Sequence, residues 1–156
     1  MTIQKQPNSS HCFVCGLQNP FGLRLRFYDN GVDEVWCDYT IPEQYQGFPG
    51  IAHGGIAAAI LDEACGRISM IADPNHFMMT AKMEVKYRHR VPIEQPIRAV
   101  GKIVKQRGRL AVARAELRLA DGTVAVEATM TLADVPDEFL RAEEGLLDAL
   151  GWKVYD

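Results

Sequence analysis

The chain carries no large excess of charge of either sign: 17 Lys and Arg stand against 20 Asp and Glu, for a net charge of −3. Proteins that grip nucleic acid through its phosphates show a basic excess, so no nucleic-acid partner is expected. No apolar run approaches the length of about twenty residues that a membrane-spanning helix needs, so no membrane partner is expected either. The opening segment Met1-Thr2-Ile3-Gln4-Lys5-Gln6-Pro7 lacks the apolar stretch of an export signal, which points to the cytoplasm. Cysteine is sparse, at four residues, and in a reducing compartment an even number is no argument for disulfides. Cys12 and Cys15 form a Cys-x-x-Cys, while Cys37 and Cys65 stand alone. A four-ligand zinc site needs two more donors than that pair provides. His11 is adjacent and a second subunit could add others, yet the plainer reading is a small turn packed under a sheet, with no metal. A redox pair lacks the βαβ surroundings it needs.

What the chain does have is an ordinary globular composition, 47% hydrophobic and 24% charged, in 156 residues. That is one domain with room for a core. The first ten residues are polar and are expected to be mobile. Residues 22–29 alternate Leu23, Leu25 and Phe27 with Arg24, Arg26 and Tyr28, the pattern of a half-buried strand. Asp29-Asn30-Gly31 marks a turn, and Val35, Cys37 and Tyr39 alternate through the next strand. A loop at 42–49 carries Tyr45 and Phe48. A helix is predicted from Gly54 to about Ala72, apolar on most sides, as a central wrapped helix would be. Strands are predicted at 80–91, 97–106, 110–120 and 123–133, with Arg107-Gly108 and Asp121-Gly122 as tight hairpins. The fold class is therefore α+β, an antiparallel sheet around one long helix. The main domain spans 11–136. A terminal segment, 137–156, bears an apolar stripe of Phe139, Leu140, Leu146, Leu147 and Leu150 before Gly151 and is expected to be a docked helix.

The chemistry concentrates at His53-Gly54-Gly55 and the helix it opens. Bare backbone at a helix start aims free N–H groups, and the positive end of the dipole, at whatever lies there. A carbonyl oxygen gaining negative charge would be stabilised by the Gly54 N–H. Gly55 would let another backbone approach, and His53 would orient the corner, with a catalytic acid–base role as the alternative. Further along, Glu63 has Arg67 four residues on, a favourable helical ion pair that explains it structurally. Asp62 has no charge partner at its helical neighbour positions, and an unpaired carboxylate on a buried helix is costly unless the chemistry needs it. Gly54 and Asp62 are eight residues apart, about 12 Å along a straight helix. One carbonyl cannot touch both from a single helix, so a working site needs a second subunit.

These residues resemble the hotdog-fold acyl thioesterases, in the branch related to the phenylacetate-pathway enzymes. The resemblance rests on His53-Gly54-Gly55 with Leu61-Asp62-Glu63, on Thr80-Ala81-Lys82-Met83-Glu84-Val85-Lys86-Tyr87-Arg88 with Val91-Pro92, and on His11-Cys12-Phe13-Val14-Cys15-Gly16 with Asn19-Pro20. It implies a curved antiparallel sheet around a central helix and a site at a dimer interface, so the expected assembly is a homodimer or a dimer of dimers. It also implies Asp62 as base or nucleophile, and Thr80 as the hydroxyl that positions the attacking water or carboxylate. Relatives often carry Asn or Gln six residues before the His to polarise the carbonyl. Here Gly47 stands there with Gln46 beside it, so Gln46 is the candidate substitute.

The expected activity is hydrolysis of an acyl- or aryl-acyl-coenzyme A, with coenzyme A present only as part of the substrate and no cofactor. Its phosphates would need cations at the pocket mouth, for which Arg88, His89 and Arg90 at a strand end, or Lys105, Arg107 and Arg109 at a hairpin, are candidates. Met78, Met79 and Met83 read as core more than as acyl-pocket lining. Two alternatives stand beside this reading: a non-catalytic acyl-CoA or ligand-binding hotdog protein, and a hotdog dehydratase or hydratase.

Overall fold

The computed structural model describes residues 2–142. Its strands in chain order are β1 (Gln4–Lys5), β2 (Tyr28–Asp29), β3 (Glu34–Thr40), β4 (Met78–Tyr87), β5 (Pro96–Arg107), β6 (Leu110–Leu119) and β7 (Val124–Asp134). Two helices, α1 (Gly54–Gly66) and α2 (Asp137–Ala142), complete the described elements apart from short tight turns. The strands form one antiparallel sheet in the order β1-β2-β3-β5-β6-β7-β4. Both expected hairpins are present, and Gly108 and Gly122 take positive φ (55° and 87°) at their turns. This is the hotdog arrangement expected from the sequence. β4 follows the helix in the chain yet lies at the far edge of the sheet, beyond β7.

α1 packs on one face of the sheet against β3 through β7. Ala57, Ile60, Leu61, Ala64 and Cys65 are its buried residues. They meet Val35, Cys37, Ala99, Leu117, Met130 and Leu132 from the strands in a single core. Alanine on the helix permits a close approach, and at Gly101 of β5 it is closest. A Cβ there would lie 2.8 Å from the Ala64 carbonyl oxygen.

Four segments differ from the sequence reading. The strand expected at 80–91 runs from Met78 to Tyr87 and ends where the Arg88 and His89 N–H groups both donate to the Ala125 carbonyl. The α-helix stops at Gly66, and Ile68–Ile71 continue as a tighter 3-10 turn. Ser69 Oγ donates there to the carbonyls of Gly66 (3.3 Å) and His76 (2.7 Å), pulling the chain round. In the 22–29 segment Leu23, Leu25 and Phe27 are buried as expected, but only Tyr28–Asp29 pairs as a strand. Arg24 adopts φ 55°, and the N–H groups of Leu23 and Leu25 donate to Phe13 and Val14 in the preceding loop instead of to a strand. The polar N-terminus is threaded into the fold and is no loose tail over its whole length: Gln6, Asn8, Ser9 and Ser10 are buried. Asn8 Nδ2 donates to the carbonyls of Cys15 and Leu25, both at 2.7 Å, so hydrogen bonds do there what apolar side chains do elsewhere.

α2 lies within the segment 137–156 where the sequence predicts a terminal helix. Leu146, Leu147, Leu150 and Gly151 lie outside the described residues. No described helix is long and apolar enough to cross a membrane.

Candidate active site

His53 caps α1 from an extended backbone (φ −60°, ψ 135°), and its Nδ1 accepts the Gly55 N–H at 3.0 Å. An accepting Nδ1 leaves the neutral ring with its proton on Nε2. This contact holds the imidazole against the first turn of the helix. Gly55 serves the same cap: a Cβ on it would lie 3.0 Å from Nδ1. The Gly54 N–H heads the helix and has no acceptor among the described residues. Its carbonyl accepts the Tyr87 hydroxyl at 2.8 Å, and the Tyr87 ring lies 3.3 to 3.4 Å from where a Gly54 Cβ would stand.

At the other end of α1 the Thr80 hydroxyl donates to Asp62 Oδ1 at 2.6 Å. Asp62 is half-buried, and Oδ2 has no hydrogen bond among the described residues. Thr80 and Tyr87 thus both face α1, although they lie seven residues apart on one strand. An odd spacing in a regular strand puts two residues on opposite faces. The pairing of β4 with β7 explains the exception. Thr80 opposes Leu132 and Lys82 opposes Thr131, so Ala81 is an extra residue, a β-bulge. Before it Met78 and Thr80 point inward; after it Met83, Val85 and Tyr87 do, opposite the inward Met130, Ala128 and Val126. Nothing in the sequence signals that bulge, and Tyr87 was not singled out for lack of it.

Beside Asp62 and Thr80 opens a cavity of about 460 Å³ whose walls include the apolar Met70, Phe77, Met78 and Val135. Met78 belongs to the core, as expected, and lines this cavity together with the exposed Met79, while Met83 packs against the core.

Glu63 faces a different set of partners from its neighbour Asp62. Its Oε1 accepts from Arg67 Nε at 2.8 Å, confirming the helical pair, but Arg67 is enclosed, with 6% of its side chain exposed. Arg67 also donates to the Pro7 carbonyl at 2.9 Å and lies 4.6 Å over the Phe27 ring. Burial pushes the Glu63 carboxyl up to about 7, against the opposing pull of Arg67. Glu63 Oε2 lies 3.8 Å from Cys12 Sγ. A hydrogen bond from the Cys15 thiol draws the Cys12 thiol down to about 6, and the same bond with burial raises Cys15 to about 12.

The remaining candidates are dispersed. Gln46 Oε1 accepts the Gly50 N–H at 3.1 Å, which leaves its amide NH2 as a donor. The Gly47 backbone abuts His53, 3.3 Å from the position of its missing Cβ to His53 Cα. Arg88 is paired with Glu127 at 2.9 Å, and His89 and Arg90 are exposed just past the end of β4. That is the Gly54 end of the strand. Arg107 pairs in register with Leu110, Leu110 with Ala133, and Ala133 with Met79, so the second basic cluster lies at the Asp62 end.

Residues 49–126 match the model of a family described as the thioesterase superfamily. The rat acyl-coenzyme A thioesterase THEM4 is 26% identical over 107 residues, which cover 68% of this chain and 45% of that one. The chain thus spans under half the length of that relative. A crystal structure of a thioesterase superfamily protein superposes with a TM-score of 0.71 at 29% identity, over 80% of this chain and 60% of its own. The zebrafish thioesterase superfamily member 2 superposes with a TM-score of 0.66, over 76% of this chain and 89% of its own, and at 20% identity is alike in fold.

Proposed function

The chain belongs to the thioesterase superfamily, and from that membership we propose that it hydrolyses acyl-coenzyme A thioesters at a site shared between two copies. The observation that carries the proposal is the Asp62–Thr80 pair, a 2.6 Å hydrogen bond at the rim of an apolar cavity large enough for an acyl chain. Thr80 occupies one carboxylate oxygen and leaves the other for a water. In the hydrolytic step Asp62 takes a proton from that water, and the hydroxide adds to the thioester carbonyl carbon. The oxyanion that forms is stabilised by the Gly54 N–H of the other copy. Collapse expels the coenzyme A thiolate, which takes up the proton. Direct attack by Asp62 through an anhydride uses the same groups in a different order.

The requirement for two copies comes from the separation of Gly54 and Asp62, about 12 Å along an unbroken helix. Where the copies would meet is suggested by β4, an edge strand that leaves Met79 and Tyr87 more than half exposed. Two β4 edges related by a two-fold axis run antiparallel. The Gly54 end of one copy then meets the Asp62 end of the other, with His89 and Arg90 of one and Arg107 and Arg109 of the other available to coenzyme A phosphates at a common mouth. The dimer could pair again into a tetramer.

Subunit mixing tests the shared site. Gly54→Pro deletes one N–H at the first helical position, where the backbone suits proline and His53 already has the extended conformation that must precede it, although the Tyr87 ring, 3.3 to 3.4 Å from the added Cβ, must shift slightly. Asp62→Asn removes the base. Each variant alone should be inactive on a panel of short, long and aromatic acyl-CoAs, and refolding the two together should restore activity. Wild-type inertness across the panel would refute the activity. Absence of recovery on mixing, from variants shown to be folded, would refute the shared site.

A further inference from the structure

We propose that Cys12, Cys15 and Glu63 form a binding site for one zinc-class divalent ion that fastens the N-terminal loop to α1. The sequence offers only two sulfur donors there; the fold brings a third ligand from 51 residues away. One donor atom from each of the three residues lies within 4.8 Å of the others. A tetrahedral ion with bonds of about 2.3 Å to sulfur and about 2.0 Å to oxygen sets those two atoms about 3.5 Å apart. Cys12 Sγ and Glu63 Oε2 are 3.8 Å apart, so a movement of tenths of an ångström brings that pair to ligand spacing.

The surroundings are built for this role. Val14 N–H donates to Cys12 Sγ at 3.3 Å, and Gly16 N–H donates to the Cys12 carbonyl at 2.8 Å. A Cβ on Gly16 would collide with that carbonyl oxygen, so the turn that puts both sulfurs on one side needs glycine. Arg67 fixes Glu63 through Oε1 and leaves Oε2 turned to the sulfurs, the arrangement in which an outer group orients a metal ligand. Two thiolates and a carboxylate exceed a divalent cation by one negative charge, which the enclosed Arg67 guanidinium balances. Cys15 also borders the cavity beside Asp62, so a water can supply the fourth ligand. Two thiolates select a zinc-class ion over magnesium or calcium. On binding, the Cys15 thiol proton and any proton still held by Cys12 or Glu63 pass to solvent, and the Ser9 hydroxyl, 3.6 Å from Cys15 Sγ, can rotate to donate to the thiolate.

This reverses the expectation of no metal read from the sequence, and it adds nothing to the hydrolytic step. The test therefore needs no substrate. The full chain is reduced, stripped with a chelator and titrated with Co²⁺. The expected result is one equivalent bound, with a thiolate charge-transfer band and the visible bands of a tetrahedral ion, both abolished by Zn²⁺. Cys12→Ser should lose the charge-transfer band at one equivalent. Glu63→Gln should weaken binding by about tenfold or more. Cys12 is half-exposed, so its serine variant keeps the test valid should Glu63→Gln fail to fold. A missing charge-transfer band in the wild-type chain, or equal affinity in Cys12→Ser, would overturn the proposal. So would equal affinity in a folded Glu63→Gln.

Discussion

Removing the hydroxyl of Thr80 tests whether it acts through Asp62. The 2.6 Å bond joins a neutral donor to a carboxylate, a class worth about 1.5–3 kcal/mol. Thr80 is exposed, so the low end applies, and about 1.5 kcal/mol corresponds to roughly a tenfold loss in kcat for Thr80→Val. Asp62→Asn removes the base or nucleophile itself and should cost about a hundredfold or more. If Thr80 works only by positioning Asp62, the two losses do not add. In the Asp62→Asn background, Thr80→Val should change kcat by less than about twofold. Turnover is best read from loss of thioester absorbance, because Cys12 is itself a half-exposed thiol and would react with a thiol reagent. Thermal melts of each variant separate lost chemistry from lost fold. Full multiplication of the two losses in the double variant would refute the positioning role, and an active Asp62→Asn would remove Asp62 from the mechanism. Equal losses in Asp62→Asn and Glu63→Gln would mean that the neighbouring carboxylates act together.

Further outcomes follow from other parts of the molecule. In the reduced, metal-free chain Cys12 should be the thiol alkylated at neutral pH. Its pKa is depressed to about 6, so its rate should rise with pH up to about that value and then level off. Cys15, Cys37 and Cys65, each buried and pushed up to about 12, should stay unmodified until the chain unfolds, as peptide mass mapping would reveal. Gly101→Ala forces β5 away from the Ala64 carbonyl and should cost about 1–3 kcal/mol by urea denaturation; an unchanged midpoint would mean that α1 is not held as closely as described. The chain should sediment as a dimer or larger at micromolar concentration, and an active monomer would contradict the shared site.

The sequence alone determined the elements whose signals are local. Alternating apolar residues placed β3, Arg107-Gly108 and Asp121-Gly122 placed the hairpins that join β5, β6 and β7, and the His53-Gly54-Gly55 corner placed the start of α1. Asp62 stood out because nothing within a helical turn could pair with it. The wrong boundaries lie where hydrogen bonds leave the regular pattern: the Leu23 and Leu25 N–H groups go to the loop at 13–14, and the Ser69 hydroxyl bonds the His76 carbonyl at the end of the helix. Only the tertiary structure decided what surrounds each acidic group. A one-residue bulge at Ala81 is invisible to a period-two pattern, yet it turns Thr80 and Tyr87 onto the same face, one to each end of α1. Likewise Glu63 reads as half of a helical ion pair until the N-terminal loop folds over it and brings two thiols within reach. Side-chain type and spacing along the chain fix what a residue can do, whereas packing between distant segments fixes which groups it meets.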